Sequence, residues 1–360
     1  MAEILTKRRI SFSNHKLIYI FALLKAAVVI LNWNGKKFLE QFLPVVIEYS
    51  KDVADVIIAD NDSTDDSVLF LQTHFPGTRI IINNSNGGFA KGYNDALKQI
   101  EADYYILLNS DIEVTPHWIE PVLQLMDSDK TIAACQPKIR SFYEKEKFEY
   151  AGAAGGFIDK YGYPFCRGRL FFSLEDDKGQ YDDVQEIFWA TGACLFVRAE
   201  LYHKYGGLDE DFFAHMEEID FCWRMKNYGY KIMYCPDSVV YHIGGGTLPK
   251  SSSKKTYLNF RNNFTLLYKN LPKNRILPVF ASRIILDGIA ALKFLIDGGF
   301  KDFMAVTRAH ISFYSNIGTI RKKRKIQIQQ KVGHIYHGNI VLDYYLLKRK
   351  IFTDLKKKIY

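Results

Sequence analysis

The sequence predicts an α/β fold, a mostly parallel sheet flanked by helices, followed by a basic helical region. Three observations carry this. Short continuous apolar runs recur at residues 26–32, 53–59, 79–83 and 104–114, the pattern of strands buried on both faces. Segments with apolar residues at helical spacing separate them, so strand and helix alternate four times, as parallel strands joined by crossover helices do. The charge is divided: residues 1–247 hold 25 Lys and Arg against 35 Asp and Glu, whereas residues 248–360 hold 23 against 5.

In chain order, residues 1–25 are basic and then apolar over 17–24, a short stretch that lacks a small-residue cleavage site and runs straight into the first strand, and they read as an N-terminal extension. Residues 26–32 make the first strand, Trp33-Asn34-Gly35 a turn, and 37–49 a helix. The strand at 53–59 ends in Asp60-Asn61-Asp62-Ser63-Thr64-Asp65-Asp66, a loop whose side chains can cap a helix over 67–73. A strand at 79–83, a turn at 84–88 and a helix at 90–100 lead to YYILLNSDIEV at 104–114, which ends its apolar run in Asn109-Ser110-Asp111. A helix over 116–126 and a strand over 133–139 follow. Residues 144–185, rich in Gly and aromatic side chains, read as an irregular or antiparallel insertion and a candidate binding surface. Residues 187–197 read as a strand interrupted by Thr191-Gly192-Ala193, where small residues let a ligand approach the backbone. Glu217, Glu218 and Asp220 open a short helix, close to its electropositive N-terminus. Residues 231–242 make a strand, a turn at Pro236, and a strand end carrying His242. The stretch Gly244-Gly245-Gly246-Thr247 can fold over an anionic ligand with its backbone N–H groups.

Polar residues stand where the first strands end: Asn32, Asp60, Asn86 and Asp111. Each alone is ordinary turn chemistry, but in a parallel sheet the four share one edge and can converge on one ligand. The series VVILNWNG, IIADNDSTDDS, NNSNGGFAKGYN and YYILLNSDIEV, with the later acidic and His motifs, resembles the family 2 inverting glycosyltransferases of the GT-A fold over residues 26–247. The resemblance implies a Rossmann-like nucleotide-sugar half at 26–115 and an acceptor and catalytic half at 116–247. It places the base of the nucleotide at Asp60 and adds Asn32, Asn34, Asn61, Asn86, Lys91, Asn109 and Gly192 to the donor-binding set. It places Mn²⁺ or Mg²⁺ on Asp111, within a DxD motif whose first position here is Asn109, and on His242, since carboxylate and imidazole both suit such ions. The catalytic base falls on Glu218, where Asp is usual, with Glu217 as the alternative. The chain also lacks the QxxRW motif of processive polysaccharide synthases.

The resemblance extends to rhamnosyltransferase-like bacterial members through Arg261-Asn262-Asn263 in a helix over 254–271. The expected enzyme is therefore a hexosyl-type glycosyltransferase using a UDP- or dTDP-sugar, dTDP-rhamnose included, and a glycan or lipid-linked acceptor of cell-surface polysaccharide synthesis. Five cysteines without a CxxC pair argue against a disulfide framework or zinc site, and fit a reducing cytoplasm. The apolar stretch 276–300 contains Arg283, Asp287, Lys293 and Asp297, charges too costly for a spanning helix. It reads as an amphipathic helix on the domain or a membrane. With the basic clusters 321–325, 348–350 and 356–358, it makes peripheral attachment to the inner face of a cell membrane an expectation. The alternative function is a nucleic-acid- or anionic-membrane-binding protein acting through the basic region. The absence of a recognised nucleic-acid motif disfavours the former.

Overall fold

The computed structural model describes residues 25–244 and 252–359. The expectations for residues 1–24 and for Gly245-Gly246-Thr247 lie outside them.

The first half follows the expected alternation. Strands β1 (Ala26–Asn32), β2 (Asp55–Asp60), β3 (Arg79–Ile82) and β4 (Tyr104–Asn109) are parallel, in the order β3-β2-β1-β4. Helices α1 (Lys36–Ser50), α2 (Ser67–His74) and α3 (Gly88–Leu97) connect them. Along β1, Ala27 and Val29 enter one core, while Ala26, Val28 and Ile30 enter the other. Both faces are covered, so no polar alternation survives in the sequence.

Next come β5 (Ile112–Val114), α4 (Glu120–Ser128) and β6 (Ile132–Ser141), then the short strands β7 (Gly156–Asp159), β8 (Pro164–Cys166), β9 (Arg169–Leu170) and β10 (Ser173–Leu174). They are followed by β11 (Gln185–Ile187), β12 (Cys194–Arg198), α5 (Ala199–Lys204), α6 (Glu217–Asn227) and β13 (Lys231–His242). Here the main sheet becomes mixed, in the order β11-β13-β6-β12-β4. β12 is antiparallel to both β4 and β6, because it enters from the end where β4 leaves: Asn109 N–H donates to Ala193 O at 2.9 Å. Within the main sheet, parallel pairing is thus confined to the first four strands and to β6 with β13.

Two local expectations are corrected. Residues 187–197 are not one interrupted strand: β11 lies on the sheet edge beside β13, β12 lies in its interior, and buried residues 188–193 cross between them. Residues 231–242 form one strand, with a register shift between Cys235 and Val239 where Pro236 has no N–H to donate.

The insertion at 144–185 builds a second sheet, ordered β10-β9-β8-β7-β14, in which β14 (Ile335–Tyr336) comes from the basic C-terminal region. That region also contains α7 (Ser253–Asn270), α8 (Lys273–Ile296), α9 (Phe300–Ser315), α10 (Ile317–Lys325) and α11 (Ile340–Tyr345). Part of its charge answers acids of the first 247 residues. Asp220 is fully buried and accepts from Arg224 Nε at 2.9 Å, Lys269 Nζ at 2.8 Å and Asn270 Nδ2 at 2.8 Å. Lys269 and Lys323 both pair with Asp209. Asp220 therefore joins α6 to α7. Asp220→Ala leaves buried Arg224 without its acid and Lys269 with Asp209 alone, and a loss of about 3–5 kcal/mol is expected in chemical denaturation.

Candidate active site

The ends of β1 to β4 do share one edge, and the polar residues there bond mainly to one another. Asp60 is fully buried; it accepts from Asn32 Nδ2 at 2.9 Å, from Ser63 N at 2.8 Å and from Ser63 Oγ at 2.7 Å. Asn34, in the left-handed region at φ 51°, accepts from the backbone of Thr64 and Asp65. Asn61 donates to Asn86 Oδ1 at 2.9 Å and to Gly88 O at 3.2 Å. This ladder holds three loops in a fixed relation. A Cβ at Gly35 would lie 2.5 Å from Asn32 Oδ1 and 3.5 Å from Ser110 Oγ, so that turn closes directly over the end of β4. Lys91 is engaged along its own helix with Asp95 at 2.6 Å.

Asp111 and His242 meet because β5 pairs antiparallel with β13, setting Ile112 opposite His242. Asp111 Oδ1 lies 3.2 Å from His242 Nε2. On the other side of the ring, Glu149 Oε2 lies 3.2 Å from Nδ1, at ion-pair distance but without hydrogen-bond alignment. All three are buried. Burial pulls the imidazole down, but Glu149 and Asp111 outweigh it and push its pKa up to about 10. Burial raises both carboxyls, and the neighbouring imidazolium turns each shift downward. Gly244, at φ +72°, packs so close that a Cβ would meet Glu149 Oε1 at 2.6 Å. Among the described residues, no three acid, His or Cys groups could hold a metal by themselves. Asp111 and His242 nonetheless fit two neighbouring positions of one ion, since adjacent octahedral ligands at about 2.1 Å stand about 3 Å apart. Glu149 has the place of a partner that orients a metal-binding His. The sequence reading missed it, because a Glu inside an irregular insertion carries no spacing signal.

Glu217 and Glu218 begin α6. Glu217 is buried, Glu218 half-buried, and Oε2 of each is shut off from water without a partner. Burial pushes Glu218 up to about 7, and burial with the neighbouring Glu218 charge holds Glu217 well above the usual range. Gly192 stands over this acid: a Cβ there would lie 3.8 Å from Glu218 Cβ and 3.0 Å from Phe89 Cζ. Gly192 also precedes Ala193, whose carbonyl holds the end of β4. Asp220, by contrast, is occupied in the buried ion cluster.

The loop ahead of α6 places Phe213, His215 and Met216 at φ 64°, 70° and 75°, a conformation that costs non-Gly residues about 1 kcal/mol or more each. Asn262 of α7 holds it, sharing its amide hydrogens among Phe212 O at 3.0 Å, Ala214 O at 2.9 Å and His215 O at 2.7 Å. The Arg-Asn-Asn piece was visible in the sequence, but its grip on the acidic loop was not. Asn262→Ala is expected to cost about 2–3 kcal/mol in urea denaturation and to lower turnover more than donor affinity.

Residues 27–206, half of the chain, match the profile for glycosyl transferase family 2. The chain belongs to this family. It is a glycosyltransferase, and its relatives agree. This family 2 member is 25% identical over 230 residues to the N-acetylglucosaminyl-diphospho-decaprenol L-rhamnosyltransferase of Mycobacterium tuberculosis, covering 60% of this chain and 75% of the relative. It is 23% identical over 256 residues to the dTDP-rhamnosyl transferase RfbF of Shigella flexneri, covering 67% and 79%. Its fold is that of GalNAc-T7, solved with UDP, GalNAc and Mn²⁺: the TM-score is 0.55 at 17% identity, covering 82% of this chain and 58% of that one. A fragment of S. aureus TarS in complex with UDP-GlcNAc gives 0.51 at 13% identity, covering 84% and 92%. The α/β fold class with a helix-flanked central sheet, expected from the sequence, is the one observed.

Proposed function

We propose that this glycosyltransferase is metal-dependent and inverting. It moves a sugar from a nucleoside-diphosphate donor to a hydroxyl of a glycan or lipid-linked acceptor in cell-surface polysaccharide synthesis. The observation that carries the proposal is that Asp111, with His242, stands just past the end of β4, while Gly192, which stands over Glu218 and its unpartnered Oε2, leads into β12, the neighbour of β4 in the sheet. Glu218 takes the proton of the acceptor hydroxyl as its oxygen attacks the anomeric carbon; the bond to the diphosphate breaks, and the nucleoside diphosphate leaves. Single displacement needs one base and no protein nucleophile. Glu217, deeper and more strongly neutralised, keeps a proton and leaves Glu218 the single negative charge of the pair. Asp111 and His242, steadied by Glu149, would hold Mn²⁺ or Mg²⁺, which when bound neutralises the leaving diphosphate.

The polar ladder of Asn32, Asn34, Asp60, Asn61 and Asn86 shapes the nucleotide cradle. In this reading Asp60 acts mainly by holding the loop 60–65 in place, and Asn109 remains a neutral neighbour of the metal site. Lys91 takes part only if the donor draws it from Asp95. The rhamnosyl names of two relatives put dTDP-rhamnose first among donors, with UDP-sugars next. The test is a panel of nucleotide sugars with Mn²⁺, read as donor hydrolysis and thermal stabilisation. One donor should stand out and lose its effect in EDTA; a flat panel overturns the reading.

A further inference from the structure

Of the charges that interrupt the apolar stretch 276–300, Arg283 and Asp287 point inward, while Lys293 and Asp297 pair with each other at the surface. Arg283 and Asp287 are buried and paired; Arg283 also donates to Tyr161 O at 3.0 Å, and Tyr163 Oη donates to Asp287 at 2.9 Å. The opposite side of the same helix is bare: Leu277, Ile284, Ile285, Ile289, Leu292 and Ile296 are each 48–84% exposed. At 100° per residue these six fall within an arc of about 140° along a helix about 36 Å long. The buried side mixes Arg283 and Asp287 with Val279, Phe280 and Ala291, whereas the side turned to solvent is apolar where an ordinary surface helix is polar.

The apolar surface continues past the Gly298-Gly299 turn. On α9, Phe300, Met304, Ile311 and Tyr314 are 37–62% exposed at one-face spacing. Lys293, at the rim of the α8 stripe, interacts electrostatically with Tyr345. Tyr345 leads into exposed Leu346 and Leu347, and its ring lies 5.3 Å from that of Phe171, next to the 79%-exposed Phe172. An exposed apolar surface of this extent marks an interaction site. Its surroundings are basic: residues 273–325 hold eleven Lys and Arg against three Asp. Lys323 and Arg324 are engaged inside, but Lys273, Arg275, Lys301, Arg308, Arg321 and Lys322 are exposed.

We propose that the outward face of α8 and α9, with Tyr345-Leu346-Leu347 beside it, docks into the interface of an anionic lipid bilayer. An anionic bilayer supplies both halves of what the surface asks for, an apolar interior for the stripe and phosphates for its rim. A second copy of this chain would set two basic rims against each other. No described helix is long and apolar enough to cross a membrane, so the pair lies along the surface. The proposal does not depend on which sugar is transferred, and its test does not read transfer.

The test is flotation of the full-length protein with vesicles of equal phosphatidylglycerol and phosphatidylcholine, and with phosphatidylcholine alone. The expected result is binding to the anionic vesicles, weakened at least about tenfold without the anionic lipid and by high salt. Replacing exposed Ile285, Ile289 and Leu292 together by Ser should raise the lipid needed for half-binding at least about tenfold, with the thermal midpoint unchanged. Arg321→Ser with Lys322→Ser should raise it severalfold. Three results overturn the proposal: no binding of the unaltered protein to anionic vesicles; equal binding by the Ile/Leu triple variant; or a concentration-dependent dimer, seen by sedimentation velocity, that the triple variant abolishes while vesicle binding is absent.

Discussion

Glu218→Gln is expected to lower kcat about a thousandfold while leaving the donor's dissociation constant within about threefold. The amide keeps the shape of the side chain but cannot take the acceptor's proton, and general-base catalysis contributes about 10²–10⁴. Burial raises the Glu218 carboxyl from 4.5 to about 7. The active, ionised form therefore grows as pH rises, and kcat/KM should climb with unit slope and level off above about 7. The same shift has an opposite sign in stability. The folded protein holds this proton more tightly than the unfolded chain, so the contribution is full below 4.5 and is lost as pH rises through about 7. Glu218→Gln should remove both dependences. A variant with near-normal turnover, or an unchanged ascending limb, sinks the assignment and passes the role to Glu217.

Asp111→Asn is expected to abolish most of the metal-dependent part of nucleoside-diphosphate affinity, a loss of about a hundredfold or more in the presence of Mn²⁺. The wild-type protein should bind UDP or dTDP much more tightly with Mn²⁺ than with EDTA by calorimetry, and the variant about equally in both. Retention of the wild-type difference would remove Asp111 from the metal site. Glu149→Gln touches neither nucleotide nor ion in this scheme. It should still cost about 10–100-fold in metal affinity, because His242 loses the carboxylate that orients its ring.

Much of this was legible in the sequence for reasons that can be stated. β1, β2 and β4 are covered on both faces, so each had to be an unbroken apolar run, and its end had to show as the first polar residue. Asn32, Asp60, Asn109 and Asp111 were found that way. Glu217 and Glu218 were found because two adjacent acids at a helix start leave a local pattern. Long-range placement left no such trace. The crossing at residues 188–193 joins two strands that sit apart in the sheet, yet Phe188 to Ala193 reads as part of one apolar segment. Glu149 and Asn262 lie 93 and 47 or more residues from the groups they hold, and nothing in their neighbourhoods announces the partner.

The charge division shows the same limit from another side. A basic C-terminal region was evident by counting, and so were the charges that break the apolar stretch of α8. Which of those charges are used inside could not be counted. Lys269 and Lys323 answer Asp209, and Arg283 answers Asp287 on the buried side of α8, whereas Lys293 of the same helix stays exposed. A helical sequence shows that two faces differ, not which one the rest of the chain covers.

By itself, then, the sequence determined the strand-helix alternation, the family, the acids at the strand and helix ends, and the existence of a basic helical region. All of these are written in neighbouring residues or in short motifs. Only the tertiary structure decided that the sheet turns mixed after β4, that Glu149 backs His242, that Asn262 secures the acidic loop, and that α8 turns most of its leucines and isoleucines outward. Those are contacts between residues far apart in the chain, and their energies depend on burial and distance, which the order of residues does not contain.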